Sequence, residues 1–330
     1  MPVLTLAEAE ALVVDTLARC RTSRANAHCV ARALVAAEAD GLTGHGLSRL
    51  PTYAAQAKVG KVDGFATPAV TRPRPATIAI DACNGFAYPA IDLGVATLPE
   101  TARQQGIAAA AIRRSHHCGV AGHPVERLAQ DGLIALMFAN TPAAIAPAGG
   151  TKGVLGTNPI AFACPLPGRP PIVVDLSLSK VARGNILAAR QRGERIPEGW
   201  ALDAAGRPTS DPASALTGTM LPLGDAKGTA LALMVELLAA GLTGANFAAE
   251  ASSFLDAEGP PPGTGQLIIV FSAAAFGGSD VDARFAALAA SIEQQPGARL
   301  PGTRRLAARA KAATDGLVIG EALLAAIRRS

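Results

Sequence analysis

The feature that most constrains the fold is a regular alternation, from residue 77 onward, between short apolar runs and segments with helical periodicity. The apolar runs have the length of buried strands and predict strands at 77–81, 107–112, 133–139, 172–176 and 267–271. Helical periodicity predicts helices at 92–105, 124–130, 179–190 and 227–240. Alternating elements of this kind indicate an α/β layer structure in which helices cover a sheet.

The two ends of the chain have helical patterns instead. Helices are predicted over 6–19 and from a cap at Ser23 to Ala39, and Ser48 is predicted to cap a third helix. The last segment reads as helical up to Arg329, whereas residues 60–75 are rich in Gly, Pro and Lys. That composition predicts a linker and therefore a domain boundary.

One predicted helix stands out by its lack of polar residues. Residues 230–240 are apolar nearly all round, which predicts burial on every side of this helix. Its lone carboxylate, Glu236, is either a paired core group or a rim residue, and a structural role is the expectation.

Residues 113–123 contain three of the five histidines and lie between a predicted strand and a predicted helix. α/β proteins place ligand-binding groups at such points, because a helix start offers free N–H donors and the positive end of a dipole. The segment is therefore a candidate ligand site. The alternative is a surface loop that happens to be rich in histidine.

A second candidate cluster follows the helix that is predicted to end near Ala39. His45 lies between two glycines, and Arg49 and Tyr53 are one helical turn apart on the predicted third helix. Together these residues offer a proton carrier, a bidentate carboxylate binder and a phenol. The alternative is a glycine-rich connector with a surface arginine.

Two glycine-rich loops and one basic turn are further candidates, but none fits a standard nucleotide motif. Residues 149–159 match neither G-x-G-x-x-G nor the Walker pattern, and residues 224–229 place Lys-Gly-Thr where a Walker loop needs Gly-Lys-Thr. Arg299, Arg304 and Arg305 flank a Pro-Gly turn that suits a phosphate; a solvated charged turn is the alternative. Neither an ordinary Rossmann domain nor a nucleotide hydrolase is indicated.

Composition excludes several classes of function. Of the 330 residues 49% are hydrophobic and 17% are charged, and the net charge of +4 includes no long basic run, so nucleic acid is not an expected partner. No apolar stretch approaches the roughly 18 residues of a membrane span, and the N-terminus does not read as a signal peptide. Five cysteines without a C-x-x-C pair predict free thiols in the cytoplasm and no metal site.

Taken together, five ordered motifs resemble the malate/L-lactate dehydrogenase family that is unrelated to the Rossmann-type enzymes. The motifs lie at residues 40–53, 115–117, 156–159, 175–177 and 227–228. Residues 234–244 and 299–305 look most like the Δ1-piperideine-2-carboxylate/Δ1-pyrroline-2-carboxylate reductases within that family. The resemblance implies reduction of these cyclic imino acids to L-pipecolate and L-proline by NADPH, with NADH as a further option.

The resemblance also implies an α/β, non-Rossmann L-sulfolactate/malate dehydrogenase-like fold and a homodimer. A mixed-sheet cofactor domain, 73–294, would lie beside a helical domain made from both chain ends, 1–72 with 295–330. This fold accounts for the missing G-x-G-x-x-G.

Site roles follow from the resemblance residue by residue. His45 is the implied proton donor, and the implied substrate-binding residues are Arg49, Tyr53, Thr157, Arg183 and Gly184. The implied cofactor-binding residues are His117, Cys118, Gly119, Val120, Ala121, Asp175, Leu176, Ser177, Ala226, Lys227, Arg299, Leu300, Pro301, Gly302, Thr303, Arg304 and Arg305.

Two departures from the reductase pattern bear on the substrate. Gly44 stands where the reductases have Ser, and Arg183-Gly184-Asn185 stands where they have His-Gly-Asp. Those Ser and Asp residues are thought to orient the catalytic His, so an NAD(P)-dependent 2-hydroxy-acid dehydrogenase of malate, lactate or ureidoglycolate type is the main alternative. A catalytically inactive nucleotide-binding protein is a third reading. The additional Arg183 favours an anionic substrate.

Overall fold

The computed structural model describes residues 2–276 and 280–330. Its strands are β1 (Val3–Leu4), β2 (Ala69–Arg74), β3 (Thr77–Asp81), β4 (Ile107–Ser115), β5 (Ile134–Ala139), β6 (Ile160–Leu166), β7 (Arg169–Leu176), β8 (Ala201–Leu202), β9 (Pro208–Thr209), β10 (Thr219–Met220), β11 (Thr264–Phe271) and β12 (Leu317–Val318). Its helices are α1 (Leu6–Arg19), α2 (Arg24–Ala39), α3 (Leu50–Val59), α4 (Ala87–Gln105), α5 (Gly122–Gln130), α6 (Arg183–Arg192), α7 (Pro212–Thr217), α8 (Ala226–Glu236), α9 (Val281–Glu293), α10 (Thr303–Asp315) and α11 (Glu321–Arg329).

A seven-stranded mixed sheet forms the centre of the fold, in the order β2-β3-β4-β11-β5-β6-β7. Among its described strand pairs only β3 and β4 run parallel, with α4 crossing between them and packing on β4. β11 lies in the middle and is buried along nearly its whole length. Its run of apolar side chains is typical of a strand that is covered on both faces.

The five predicted strands are all present, and two further strands of the sheet were not predicted. β3 has the predicted bounds, whereas β4 continues past residue 112 to Ser115. β2 lies inside the segment that was predicted as a linker, and all six of its residues are exposed. The prediction of a linker over 69–74 is therefore wrong. The strand was missed because an exposed edge strand lacks the apolar alternation by which strands are recognised.

Helices from both chain ends share one hydrophobic core, which includes Val13, Leu34, Tyr53, Leu317 and Ile327. The antiparallel pairing of β1 with β12 also joins the two ends. A second core lies between the sheet and helices α4 and α5. The domain boundaries at 72 and 294 stay predictions. No helix in the described ranges is long and apolar enough to cross a membrane.

The two predicted helix caps have opposite outcomes. Ser23 caps α2, because its side chain accepts a hydrogen bond from the backbone N–H of Asn26. Ser48 does not cap α3, which begins only at Leu50. The Glu38 carboxylate accepts the N–H of Leu47 at 2.8 Å and thereby holds residues 47–49 in a 3₁₀ turn.

The prediction that residues 230–240 are buried on every side is wrong. One side of α8 packs on the sheet through Ala232 and Val235, but the other side faces solvent. A helix on a sheet buries one face only, so an apolar sequence leaves the second face uncovered. We call the exposed residues the α8 face; they are Leu231 (41% exposed), Leu233 (50%), Met234 (38%), Leu237 (54%) and Leu242 (65%).

Candidate active site

The turn that carries His45 is held by the half-buried carboxylate of Glu38, which bonds to the backbone N–H of Leu47. Gly46 allows this, since a Cβ at that position would lie 2.1 Å from Glu38 Oε2 and 3.0 Å from the Glu38 backbone nitrogen. Burial raises the pKa of Glu38, while its bond to the Leu47 N–H opposes that rise. The sequence patterns did not reveal the contact of Glu38 with this turn, because a glutamate within a helix carries no signal of its own.

His45 stacks on His117, with ring centroids 5.5 Å apart and an angle of 20° between the ring planes. The two predicted clusters therefore meet, although 72 residues of chain separate them. Burial of the His45 ring lowers its pKa, the charges of Arg49 and His123 add to that effect, and together they bring the pKa to about 4. His45 is consequently neutral near pH 7, the form in which an imidazole can accept a proton.

Arg49 and Tyr53 face the same region from the start of α3, but at different depths. Arg49 is partly exposed, and its Nε donates to the Gly44 carbonyl at 2.7 Å, which leaves the outer edge of the guanidinium free to bind. The Tyr53 side chain is fully buried, and burial raises its pKa to about 12. Its hydroxyl contacts His117 Nδ1 at 2.6 Å and the Tyr88 hydroxyl at 3.1 Å.

That Tyr53 contacts the substrate stays a prediction. In this structure its phenol contacts the ring of His117. Tyr88, which the sequence analysis did not single out, completes the chain of hydroxyls. His117 is itself fully buried, and its pKa is held well below the usual range by burial.

The residues predicted to line the cofactor come together at the ends of β4 and β7. The Gly122 N–H donates to Asp175 Oδ2 at 2.7 Å, which joins segment 117–121 to segment 175–177. A Cβ on Gly122 would lie 3.0 Å from that carboxylate oxygen, so glycine lets Asp175 approach the start of α5. Crowding by neighbouring protein atoms raises the pKa of Asp175, while the hydrogen bond from the Gly122 N–H opposes that rise.

Backbone hydrogen bonds connect Leu178, next to segment 175–177, to both glycine-rich loops. The Leu178 N–H donates to the Thr157 carbonyl at 2.8 Å, and the Leu223 N–H donates to the Leu178 carbonyl at 2.8 Å. Thr157 and the start of α8, with Ala226 and Lys227, are thereby brought beside Ser177. Within the described residues no group of three or more His, Cys, Asp or Glu side chains is arranged to hold a metal.

Glu236 is a paired core carboxylate, in agreement with the structural role expected for it. It accepts hydrogen bonds from the side-chain amides of Asn140 and Asn158 and from the backbone N–H of Ala248. Asn158 has a positive φ of 40°, so this network stabilises the unusual backbone that presents the neighbouring Thr157.

Arg305 occupies a different environment from the one predicted for it. Its guanidinium binds Glu126 through two hydrogen bonds of 2.7 and 2.9 Å and reaches Asp40 Oδ2 at 3.0 Å. Arg309 binds the same two carboxylates, and His123 Nε2 lies 2.9 Å from Asp40. Arg304, by contrast, is exposed.

We call Asp40, Glu126, Arg305 and Arg309 the charge cluster. Its ion pairs hold the pKa of Asp40 and Glu126 below the usual range, although burial alone would raise them. The charge cluster ties the turn before His45 to α5 and α10, and Gly302 lies beside β7, where a Cβ would be 3.6 Å from the Val173 carbonyl. The segment 299–305 therefore lies next to the other segments predicted to bind the cofactor. Arg304 is exposed and Arg305 is engaged in ion pairs, and the cofactor contacts of both stay predictions.

Arg183 and Gly184 begin α6 and are not joined to His45 by any contact among the described residues. Arg183 donates from Nη2 to the Leu216 carbonyl at 3.1 Å, while its buried Nε has no hydrogen-bond partner there. The space around Gly184 is open, since nothing lies within 4 Å of a Cβ placed on it.

The comparisons with known proteins agree with this arrangement. The profile of the malate/L-lactate dehydrogenase family matches residues 4–328. A (2R)-3-sulfolactate dehydrogenase (NADP(+)) of Chromohalobacter salexigens is 51% identical over 325 residues, covering 98% of this chain and 97% of the relative. A Delta(1)-pyrroline-2-carboxylate reductase of Ancylobacter novellus is 40% identical over 328 residues, covering 98% and 96%.

A solved structure extends the likeness to the whole fold. The delta1-piperideine-2-carboxylate reductase of Pseudomonas syringae superposes with a TM-score of 0.93 at 37% identity, covering 100% of this chain and 99% of that one. The predicted non-Rossmann fold class is thus confirmed. The chain is an oxidoreductase that belongs to the malate/L-lactate dehydrogenase family.

Proposed function

We propose that this enzyme interconverts a 2-hydroxy acid with a second anionic group, of the 3-sulfolactate type, and its 2-oxo acid, with NADP(H) as the hydride carrier. The observation that carries the proposal is Arg183, whose partly buried guanidinium has a nitrogen without a partner among the described residues. A guanidinium in such a place gains from binding an anion. The likeness to the (2R)-3-sulfolactate dehydrogenase supports the same substrate class.

The residues around the ends of β4 and β7 suit a nicotinamide cofactor. The start of α5 supplies a positive dipole end, and Lys227, Arg299 and Arg304 add positive charge for phosphates. Residues 117–121 and 175–177 would hold the rest of the cofactor, with Leu176 39% exposed. NADP(H) supplies or accepts the hydride when it is bound. We assign the NADP preference to Arg304; NADH remains the alternative.

The chain's own residues supply position and a proton. Arg49 would hold the carboxylate next to C2 by a two-point contact and so present one face of the substrate. Neutral His45 would accept the hydroxyl proton during oxidation and return it during reduction. Tyr53 and Tyr88 would keep His117, and through it His45, in place.

Reduction of cyclic imino acids, the reaction indicated by the sequence motifs, is the second candidate. It is supported by the reductase relatives and by the fold likeness to the piperideine-2-carboxylate enzyme. Arg49 would serve an imino acid equally well, since its carboxylate is also next to the reacting carbon. Gly44 and Arg183-Gly184-Asn185, which replace the reductase residues, favour the hydroxy acid instead.

We also propose that two copies associate through the α8 face. Leu233, Leu237 and Leu242 are each at least half exposed in the single chain, and soluble monomers rarely expose such a contiguous apolar surface. Leu237→Asp should shift the mass measured by light scattering from dimer to monomer. Leu288→Asp, at an equally exposed leucine on α9, is the control (62% exposed). A wild type that is monomeric would contradict this assembly.

The cytoplasmic location stays a proposal. It is supported by the five cysteines, all of which lie in the described ranges and are unpaired. Free thiols of this kind persist in a reducing compartment.

The substrate proposal is tested by initial rates with a panel of acids. We expect NADP⁺ reduction with 3-sulfolactate to show the highest kcat/KM, followed by malate and then lactate. Arg183→Gln should lower kcat/KM for 3-sulfolactate about ten- to a hundredfold, the loss of one charge-assisted contact, and leave lactate almost unchanged. A higher kcat/KM for NADPH oxidation with cyclic imino acids would favour the second candidate.

A further inference from the structure

The loop between α8 and β11 places one aromatic ring against the histidines of the site. Phe254 is only 8% exposed, and its ring centroid lies 5.3 Å from that of His116 and 5.2 Å from that of His117. His117 contacts Tyr53 on another side and stacks on His45. Phe254 therefore contacts His117, the ring on which His45 stacks.

A single buried lysine organises the turn that carries Phe254. Lys61 has a side chain with no exposed surface, and its ammonium donates to the carbonyls of Ser253 at 2.7 Å and Asp256 at 3.2 Å. It also binds the Asp256 carboxylate at 3.1 Å and the Glu258 carbonyl. A buried ammonium must satisfy its donors, so these acceptors hold the turn closed around it.

A second residue holds the same turn. Gln56, which is fully buried on α3, donates from Nε2 to the Asp256 carbonyl at 2.8 Å. α3 also carries Tyr53, so the helix supports His117 from one side directly and from the other side through the loop.

We propose that Phe254 is a positioning residue for the His117–His45 pair, and that Lys61 and Asp256 form the clasp that keeps Phe254 in place. The inference rests on the proposed function only in giving His45 the proton step. The ring of Phe254 excludes water from one side of His117 and limits its rotation, which in turn keeps His45 stacked. Loss of the ring would admit water and let both imidazoles move.

The charged groups around His45, together with its packing and solvation, determine the pH at which its ring takes up a proton. Arg49 and His123 contribute positive charge, and His117 stacks on the ring. Glu38 lies under the turn, bonded to the backbone of Leu47. Phe254→Leu changes no charge, so a shift in the titration of His45 in that variant would report a change in its packing and solvation. Lys61→Met also removes a positive charge that lowers the pKa of His116, so its effect on His45 is read against that of Phe254→Leu.

The test uses NMR of isotope-labelled histidine in the full-length enzyme, without substrate. With five histidines in the chain, the His45→Ala spectrum identifies the His45 signal. In wild type this signal should stay in its neutral position from about pH 8 to about pH 5.5. In Phe254→Leu and Lys61→Met it should begin to protonate within that range. Leu255→Ala, next to Phe254, and Lys58→Met, near Lys61, are the matched controls and should behave as wild type.

Kinetics on the best substrate give the second readout. Each of the two variants should lose roughly ten- to a hundredfold in kcat with little change in the KM of NADP⁺, as expected for a slightly misplaced catalytic group. The double variant should lose no more than the worse single one. If Lys61→Met does not fold, Asp256→Asn tests the clasp at an exposed position. An unchanged His45 titration in folded Phe254→Leu would overturn the proposal, whatever the substrate proves to be.

Discussion

Replacing Arg305 tests whether this residue stabilises the fold or binds the cofactor, which is the role predicted for the segment 299–305. Its side chain is 12% exposed and forms ion pairs with Asp40 and Glu126, whose side chains are 0% and 6% exposed. Removing one partner of a buried pair costs about 3–5 kcal/mol, because a carboxylate stays buried without compensation. We expect Arg305→Ala to cost about 3 kcal/mol, at the lower end of that range, since Arg309 still binds both carboxylates.

Thermal unfolding followed by circular dichroism measures this loss. At roughly 2–4 °C per kcal/mol, a figure for somewhat smaller domains, the Tm should fall by about 6–12 °C. Arg304→Ala is the matched control, because Arg304 is the exposed neighbour and its loss should cost less than about 0.5 kcal/mol. Arg304→Ala should instead raise the KM for NADPH more than that for NADH. An unchanged Tm in Arg305→Ala, together with a selective rise in the KM for NADPH, would refute this assignment.

Three further predictions concern the active site and the response to pH. His45→Ala should lose at least about a hundredfold in kcat while a fluorescence titration shows NADPH bound as in wild type; activity within a few-fold would remove His45 from the mechanism. Arg49→Lys should lower kcat/KM roughly ten- to a thousandfold, because an ammonium cannot hold both carboxylate oxygens, and steady-state kinetics that match wild type would contradict the anchor. The depressed pKa values of Asp40 and Glu126 mean that their stabilising effect is complete above their unfolded pKa values near 4 and is lost as the pH falls through the folded values. Urea unfolding should therefore show wild type losing more stability than Arg305→Ala below about pH 4.

Local patterns predicted five of the seven strands of the central sheet but missed β2 and β6. β3, β4, β5, β7 and β11 have the apolar runs of buried strands, and all five were predicted. β2 is an exposed edge strand and β6 lies within an irregular, proline-containing stretch, so neither shows a periodic signal. The α8 face shows the reverse limitation. Its apolar residues were predicted to lie in the core, because a sequence does not distinguish an apolar side that packs within the chain from one that the chain leaves exposed.

Residues of the candidate site could be predicted where a short sequence motif contains them. They could not be predicted where contacts between distant parts of the chain bring them to the site. His45, Arg49 and the segment 117–121 were recognised from their residue types and from their place after a helix or a strand. The stack of His45 on His117 and the ion pairs of Arg305 join residues far apart in the chain. Phe254 and Lys61 were missed for the same reason, since each becomes informative only when the fold brings it to the histidine pair.

The central claim is that hydride moves between NADP(H) and C2 of a small carboxylate held by Arg49 beside His45. The most direct measurement is mass spectrometry of the product formed from the 2-oxo acid of 3-sulfolactate and NADPH that carries deuterium at its hydride position. We predict one deuterium at C2 of the hydroxy acid from wild type, and almost none in the same time from His45→Ala. A product without deuterium at C2, or no turnover of this acid or of any cyclic imino acid, would contradict the account.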